Sequence, residues 1–96
     1  MGVRLENLIA NSEEIRAIAL RHKGLSISIF GSVARGDDGP NSDYDFLVEF
    51  AEGSSLLDCA ALANDLTDYL GVQVDVISQG GLKSSDHKIR AEAILL

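Results

Sequence analysis

The sequence predicts a single small domain of the α/β (α+β) class, in which a three-stranded sheet is covered by helices. Its 96 residues are too few to build two separate cores, so the predicted domain spans residues 1–96. Hydrophobic residues make up 46% of the chain, an ordinary fraction for a globular protein. Segments with apolar residues at every second position alternate along the chain with segments of helical spacing. This alternation predicts the mixed class.

The N-terminal segment carries apolar residues at helical spacing from Leu5 to Ala19. Asn11 is followed three residues later by Glu14, which is the pattern of a capping box. We therefore expect either one helix or two short ones that meet at Asn11. Gly24 follows the last apolar position, and a glycine there is typical of a helix C-terminus. The helix is expected to end at Gly24.

The remaining elements follow from period-two alternation and from glycine punctuation. The predicted order after the first helix is strand 1 (25–30), a short helical turn through Arg35, strand 2 (43–50), a helix (54–70), strand 3 (72–77) and a last helix (85–95). Gly71 is the expected stop of the helix over 54–70, because glycine readily adopts the left-handed conformation that ends a helix.

The charge balance narrows the classes of partner. Eight Lys and Arg stand against fifteen Asp and Glu, which gives a net charge of −7. A surface that binds nucleic-acid phosphates needs the opposite sign, so direct nucleic-acid binding is not expected. Cys59 is the single cysteine, and the longest uncharged stretch, 24–34, is about half of a membrane span. With no apolar run typical of a signal peptide, we expect a cytoplasmic protein without membrane contact.

Two carboxylates mark the start of predicted strand 2. Asp43 and Asp45 alternate with Tyr44, so both side chains point to the same side of the strand, about 6.5–7 Å apart along the backbone. Carboxylates at this spacing repel each other unless they are protonated or bridged by a cation. The pair therefore suits a clamp for one or two divalent metal ions.

A third carboxylate lies in predicted strand 3. Asp75 stands between Val74 and Val76, and a charge at such a position is costly unless its face of the sheet is open or the charge is paired. If strands 2 and 3 are neighbours, Asp75 joins Asp43 and Asp45 in a three-carboxylate site.

A phosphate-binding turn is predicted where strand 1 breaks into a helical turn. Backbone N–H groups at Gly31 and Ser32 are expected to be unpaired there, and glycine lets a ligand approach them closely. Ser32 adds a hydroxyl donor, and Arg35 adds a guanidinium group suited to phosphate. A phosphate cradle beside a carboxylate metal clamp is what phosphoryl or nucleotidyl transfer requires.

These motifs resemble those of the minimal nucleotidyltransferases in the DNA polymerase β superfamily. The resemblance is carried by Gly31-Ser32, the ten residues that follow, and Asp43-Tyr44-Asp45, with Asp75 between valines and the ending 89–94. It implies a small mixed three-stranded sheet with helices packed mainly on one face, similar to the polymerase β palm. It also implies that Asp43, Asp45 and Asp75 are the catalytic residues and hold two Mg²⁺ ions.

The same resemblance implies what the chain binds and acts on. Gly31, Ser32 and Arg35 would bind the β- and γ-phosphates of ATP, the nucleotide donor. The partner implied is a HEPN-domain ribonuclease toxin, and the small transferase would be its antitoxin, silencing the toxin by adding AMP to a tyrosine.

Other interpretations stay open from the sequence. The chain is alternatively a non-catalytic antitoxin that masks its toxin by binding, or a nucleotidyltransferase that modifies a small molecule. The second of these is disfavoured because relatives of that kind carry an extra domain for the acceptor. Two of the residues also have an ordinary structural interpretation. Asp75 would then be a charge on an edge strand, and Arg35 would be a partner in a surface ion pair.

Overall fold

The computed structural model describes residues 3–81 and 87–96. Within these residues the helices and strands alternate, which confirms the predicted class. In chain order the elements are α1 (Val3–Ala10), α2 (Ser12–Arg21), β1 (Gly24–Phe30), α3 (Gly31–Arg35), β2 (Tyr44–Phe50), α4 (Leu56–Leu70), β3 (Val74–Ser78), a 3₁₀ turn (Gln79–Gly81), α5 (His87–Glu92) and β4 (Ile94–Leu95).

The strands form one mixed sheet with the order β3-β2-β1-β4. β1 is antiparallel to both β2 and β4, whereas β2 and β3 are parallel neighbours. Parallel neighbours need a long crossover connection, and α4 supplies it. Strands 2 and 3 are therefore adjacent, which is the arrangement on which the hypothesis of a three-carboxylate site depends.

The hydrophobic core lies between one face of the sheet and helices α1, α2 and α4. Phe46 and Val48 of β2 are fully buried, as is Ile29 of β1, which is the register partner of Phe46. The helices contribute apolar side chains at helical spacing: Leu5, Leu8, Ile15, Ile18, Ala19, Leu62 and Leu66. Burial of each large apolar side chain stabilises the fold by roughly 1.5–3 kcal/mol. Because the apolar strand residues must face the helices, the residues that alternate with them point to the opposite face of the sheet.

The second face of the sheet carries the polar strand positions. Asp45, Leu47 and Glu49 alternate with the core residues of β2, and Leu47 is buried there together with Phe30, apart from the main core. Helix α5 lies on this side, because its Arg90 lines a cleft together with Glu49. Helices thus pack mainly on one face, as expected, and α5 is the exception.

The C-terminal segment corrects the predicted architecture. The sequence predicted one helix over 85–95, of which residues 85 and 86 lie outside the described residues. Helix α5 ends at Glu92, and Ile94 and Leu95 form a strand instead. In the part of the chain that the structure describes, the sheet therefore has four strands rather than three.

Tertiary pairing explains why this segment leaves the helical conformation. The outer edge of β1 offers backbone N–H and C=O groups that need partners. Ile94 lies opposite Ile29, and the N–H of Leu96 donates to the carbonyl oxygen of Ile27 at 2.9 Å. These bonds and the burial of the Leu96 side chain outweigh a weak local preference for helix.

The N-terminal helical segment is divided at Asn11, but the predicted capping box is absent. The Asn11 side chain makes no cap hydrogen bond and instead donates to the carbonyl oxygen of Asn7 at 2.7 Å. Helix α2 ends at Arg21, and Lys23, with a φ of 66°, takes the left-handed conformation. Gly24 is not the helix stop that the sequence predicted, because it is the first residue of β1.

Gly24 is required by close packing against α2. A Cβ atom at this position would lie 2.9 Å from the carbonyl oxygen of Ala19 and 3.1 Å from Cγ1 of Val48. The contact to the backbone oxygen is too short for any real side chain, so α2 and β1 would have to move apart.

Gly24→Ala is therefore expected to lower the free energy of unfolding by roughly 1–3 kcal/mol, the usual cost of overpacking. Urea denaturation followed by circular dichroism measures the change. Gly80→Ala is the matched control, since a Cβ there would meet only Oγ of Ser78, at 3.8 Å. Equal stability of the two variants would contradict the packing argument.

Candidate active site

The parallel pairing of β2 with β3 brings two of the predicted site residues side by side. Asp45 and Asp75 are register partners, on strands that lie about 4.8 Å apart. Both belong to the second face of the sheet, because their neighbours Tyr44 and Val74 are buried in the core. Asp43 precedes β2 by one residue and is exposed. Asp45 and Asp75 are thus neighbours near the beginning of two adjacent strands, and Asp43 lies in the loop that leads into β2.

Asp45 is partly buried and lies among other carboxylates. Partial burial raises its pKa above the usual range, and the negative charges of Asp75, Asp43 and Glu92 raise it further. Arg35 acts in the opposite direction. Ionisation of Asp45 therefore costs more free energy than ionisation of a fully solvated aspartate, and a cation beside it would offset that cost.

Gly31 places the predicted phosphate-binding turn directly against Asp45. It links β1 to α3 with a φ of 76°, in the left-handed region that favours glycine. A Cβ atom on Gly31 would lie 2.5 Å from Oδ2 of Asp45, so any larger residue would displace the carboxylate. Ser32 follows at the start of α3 and is partly exposed. The turn therefore lies directly against Asp45, and Asp75 lies beside Asp45 in the next strand.

Arg35, the last residue of α3, is engaged by two carboxylates. Its Nε donates to Oδ2 of Asp37 at 3.2 Å, and its Nη1 donates to Oε1 and Oε2 of Glu92 at 3.2 and 3.1 Å. These hydrogen bonds, to Asp37 first and to Glu92 second, raise the pKa of Arg35. Arg35, which the sequence predicted to bind phosphate, is thus close enough to Asp45 for its charge to act on that carboxylate, and it is already ion-paired with Asp37 and Glu92.

Glu92 belongs to the site and was missed by the sequence analysis. Its Oε1 accepts the backbone N–H of Gly31 at 2.9 Å, in addition to the bonds from Arg35. The contact joins residues 61 positions apart. The only sequence signal was the place of Glu92 within the ending 89–94, and nothing in that segment indicates which part of the chain it reaches.

Arg4 of α1 is a second residue that the sequence analysis missed. Its guanidinium donates to the carbonyl oxygens of Ser42 at 3.0 Å and Pro40 at 3.1 Å, and it lies 3.6 Å from Oδ2 of Asp38. The same group stacks 5.9 Å from the centroid of the Tyr44 ring. Arg4 therefore fixes the loop that leads into Asp43, and only the folded chain brings the two together.

The carboxylates suit a hard divalent cation in their chemistry. Within residues 3–81 and 87–96, no three His, Cys, Asp or Glu side chains are grouped closely enough to hold a metal ion as they stand. Carboxylate oxygens are nevertheless the ligands that Mg²⁺ prefers. The disfavoured charge on Asp45, with Asp75 and Asp43 beside it, is the condition that a bound cation offsets. The residues present therefore fit such an ion.

Other titratable groups lie away from the carboxylates. Nε2 of His22 lies 2.5 Å from Oδ2 of Asp65, and both line a cavity of about 520 Å³ between α2 and α4 that contains none of the three aspartates. Sγ of Cys59 lies 3.5 Å from the carbonyl oxygen of Val76, and burial raises its pKa. These groups take no part in the site.

A family model described as a nucleotidyltransferase domain matches residues 12–94. The match includes every residue that the sequence singled out for the site. The chain belongs to the nucleotidyltransferase domain family. Its activity is accordingly nucleotidyl transfer, and the fold class predicted from the resemblance is confirmed apart from the number of strands.

Two relatives of this nucleotidyltransferase are known as protein adenylyltransferases. A Methanocaldococcus jannaschii protein, provisionally named protein adenylyltransferase MJ0435, is 42% identical over 76 residues, which cover 79% of this chain and 82% of the relative. Protein adenylyltransferase MntA of Thermococcus cleftensis is 40% identical over 80 residues, which cover 75% of this chain and 81% of the relative.

Solved structures resemble this nucleotidyltransferase over nearly its whole length. One, provisionally described as a minimal nucleotidyltransferase, has a TM-score of 0.85 at 42% identity and covers 100% of this chain and 97% of its own. A chain from the complex of the tri-AMPylated Shewanella oneidensis HEPN toxin with an MNT antitoxin has a TM-score of 0.68 at 19% identity, covering 90% of this chain and 68% of its own. At that identity the likeness shows the fold alone.

Among the described residues, no helix combines the length and the apolar character needed to cross a bilayer.

Asp45→Asn is expected to raise the thermal unfolding midpoint in EDTA at neutral pH. A carboxyl group whose pKa is raised on folding destabilises the native state above its folded pKa and has no such effect below its unfolded pKa. The gain should therefore vanish as the pH falls from about 7 to about 3, through the range in which carboxyl groups titrate. Calorimetry measures both midpoints.

Glu49→Gln is the control for this comparison, because Glu49 is exposed on the same face of β2 and its removal should change the midpoint little. A lower midpoint for Asp45→Asn than for the wild type at neutral pH would contradict the repulsion argument.

Proposed function

We propose that this nucleotidyltransferase transfers AMP from Mg-ATP to a hydroxyl group, a tyrosine in the first instance, on a partner HEPN-domain toxin, and that it thereby acts as the antitoxin. The observation that carries the proposal is the contact between the Gly31 turn and the Asp45 carboxylate, with Asp75 opposite. This contact brings the proposed phosphate-binding turn next to the carboxylates proposed to bind cations. The names of the relatives, protein adenylyltransferases, support AMP as the group transferred.

In the proposed reaction the turn holds the nucleotide donor. The backbone N–H of Gly31, the hydroxyl group of Ser32 and the guanidinium of Arg35 are donors suited to the β- and γ-phosphates. Held there, the α-phosphate faces the carboxylates of β2 and β3. The bond between the acceptor oxygen and the α-phosphorus forms as the bond to the β-phosphate oxygen breaks, and pyrophosphate leaves.

The carboxylates have two tasks in the proposal. Asp43, Asp45 and Asp75 would hold two Mg²⁺ ions, which supply charge neutralisation and make the acceptor hydroxyl more acidic. Asp75 is also the carboxylate assigned to accept the hydroxyl proton. It is exposed on β3, which lies at one edge of the sheet, where a side chain from another protein has access.

The partner assignment rests on two observations. The chain resembles in fold a chain from a HEPN toxin complex with its MNT antitoxin, in which the toxin is tri-AMPylated. The net charge of −7 suits a basic partner such as a ribonuclease and disfavours direct nucleic-acid binding. We place the reaction in the cytoplasm, without membrane contact.

The second candidate is an antitoxin that neutralises by masking. The likeness in fold to a chain from a toxin–antitoxin complex is equally consistent with simple binding of a toxin and with its modification. The two functions separate at Asp75, because an amide there leaves a docking surface intact but removes the proton acceptor.

Asp75→Asn is expected to retain partner binding and nucleotide binding and to lose AMP transfer by about 100-fold or more, the usual contribution of a positioned acid or base. Intact-mass spectrometry of the partner after incubation with ATP and Mg²⁺ measures transfer, and a pull-down measures binding. Asp68→Asn, an exposed change on α4, is the control and should leave both unchanged. Protection of cells by Asp75→Asn with an unmodified partner would support masking and refute the proposal.

Ser32→Ala is expected to weaken the binding of a non-hydrolysable ATP analogue by about tenfold or more, since a hydrogen bond to a charged group contributes roughly 1.5–3 kcal/mol. Isothermal titration calorimetry with Mg²⁺ present measures the affinity. Ser26→Ala is the matched control, because Ser26 occupies the opposite end of β1 and pairs with Glu49. Unchanged affinity in Ser32→Ala would move the phosphate site elsewhere.

A further inference from the structure

The carboxylate of Glu92 occupies the donors that the proposed function gives to the nucleotide. It accepts the N–H of Gly31 at 2.9 Å and both of its oxygens accept from Nη1 of Arg35, at 3.2 and 3.1 Å. Its side chain is only 19% exposed. An anionic group with two acceptor oxygens thus already lies across the turn, where the β- and γ-phosphates would bind.

Opposing electrostatic forces act on this carboxylate. The Gly31 N–H and the Arg35 guanidinium attract it through charge-assisted hydrogen bonds. Asp45 opposes this attraction with a like charge, since its Oδ2 lies against the same Gly31 turn, 2.5 Å from where a Cβ atom on Gly31 would be. A carboxylate held by two donors against a neighbouring carboxylate is displaced readily by an anion that carries more charge and brings its own cations.

We propose that Glu92 is an internal placeholder for the triphosphate, which covers the Gly31 N–H and the Arg35 guanidinium in the free chain and leaves them when the nucleotide binds. The inference rests on the proposed function, because it assumes that the phosphates bind at the Gly31 turn. The apparent nucleotide affinity then equals the intrinsic affinity multiplied by the fraction of molecules in which the donors are uncovered, so Glu92 lowers it.

The position of Glu92 in the chain limits what moves. It is the last residue of α5, and Ile94, two residues later, is fixed by its pairing with Ile29 in the sheet. Release of the carboxylate is therefore expected to change the end of α5 and to leave β4 in place.

A bracing role for Glu92 makes the opposite prediction about affinity. If the carboxylate served only to hold the turn in shape, its removal would loosen Gly31 and Arg35 and weaken nucleotide binding. Under the placeholder role its removal frees both donors, and binding becomes tighter. The sign of the change in affinity therefore distinguishes the two roles.

The experiment is a calorimetric titration of a non-hydrolysable ATP analogue, with Mg²⁺, into the wild type and three variants. Glu92→Gln and Glu92→Ala are expected to bind about tenfold more tightly, which corresponds to a carboxylate that covers the donors in about nine molecules of ten. Asp37→Asn is the control, because it removes the other carboxylate on Arg35 without uncovering the Gly31 N–H. It should change the affinity less than about twofold, as expected for an exposed ion pair.

A second measurement uses the wild-type chain, so that the result does not depend on how the variants fold. On saturation with the analogue, the backbone amide resonances of Gly31, Glu92 and Ala93 should shift together in ¹⁵N-correlated spectra. A shift at Gly31 with none at Glu92 and Ala93 would overturn the placeholder role.

The remaining outcomes separate this inference from the proposed function. Unchanged or weaker binding in both Glu92 variants, with weaker binding in Ser32→Ala, would overturn the placeholder role and leave the nucleotide site where it is proposed. Failure of the wild type and all variants to bind the analogue would overturn both.

Discussion

The candidate active site of this nucleotidyltransferase depends on the register between β2 and β3. Tyr44 lies beside Val74 and Phe46 beside Val76, on the face that packs against the helices, and this places Asp45 beside Asp75 on the other face. A slip by one residue would turn the aspartates into the core and the apolar side chains outward. Burial of apolar surface therefore holds two carboxylates together against their own repulsion.

The faces to which the side chains of β2 point follow from the local sequence pattern and were predicted. The alternation in β2 follows directly from the order of polar and apolar residues, so the outward face of Asp45 needed no tertiary information. Gly31 was expected to allow close approach to backbone N–H groups, and the structure adds that Oε1 of Glu92 accepts the Gly31 N–H while Oδ2 of Asp45 lies against the position that a Cβ atom would fill. The roles of Asp43, Asp75, Ser32 and Arg35 in the reaction stay predictions.

The parts that the sequence did not predict are contacts between distant segments. Arg4 contacts the loop before Asp43, and Glu92 contacts Gly31, but neither partner can be identified from local spacing or propensity. The strand at Ile94 is of the same kind, because the short segment around it is compatible with a helix until the edge of β1 is available to pair with it. Tertiary hydrogen bonding decided each case.

The pairing of β4 with β1 joins segments that are far apart in the chain, and this separation affects the order in which contacts form during folding. Hydrogen bonds from Gly31 to Glu92 and from Arg16 to the carbonyl oxygen of Leu96 span 61 and 80 residues, so large loops must close before either bond forms. Domains rich in such distant pairings fold on the slow side, in milliseconds to seconds. The β1–β2 pairing spans a shorter separation and does not need residues 87–96. As the chain leaves the ribosome, Gly31 and Asp45 are therefore expected to meet while the last strand is still being synthesised, and the carboxylate that covers the Gly31 N–H arrives afterwards.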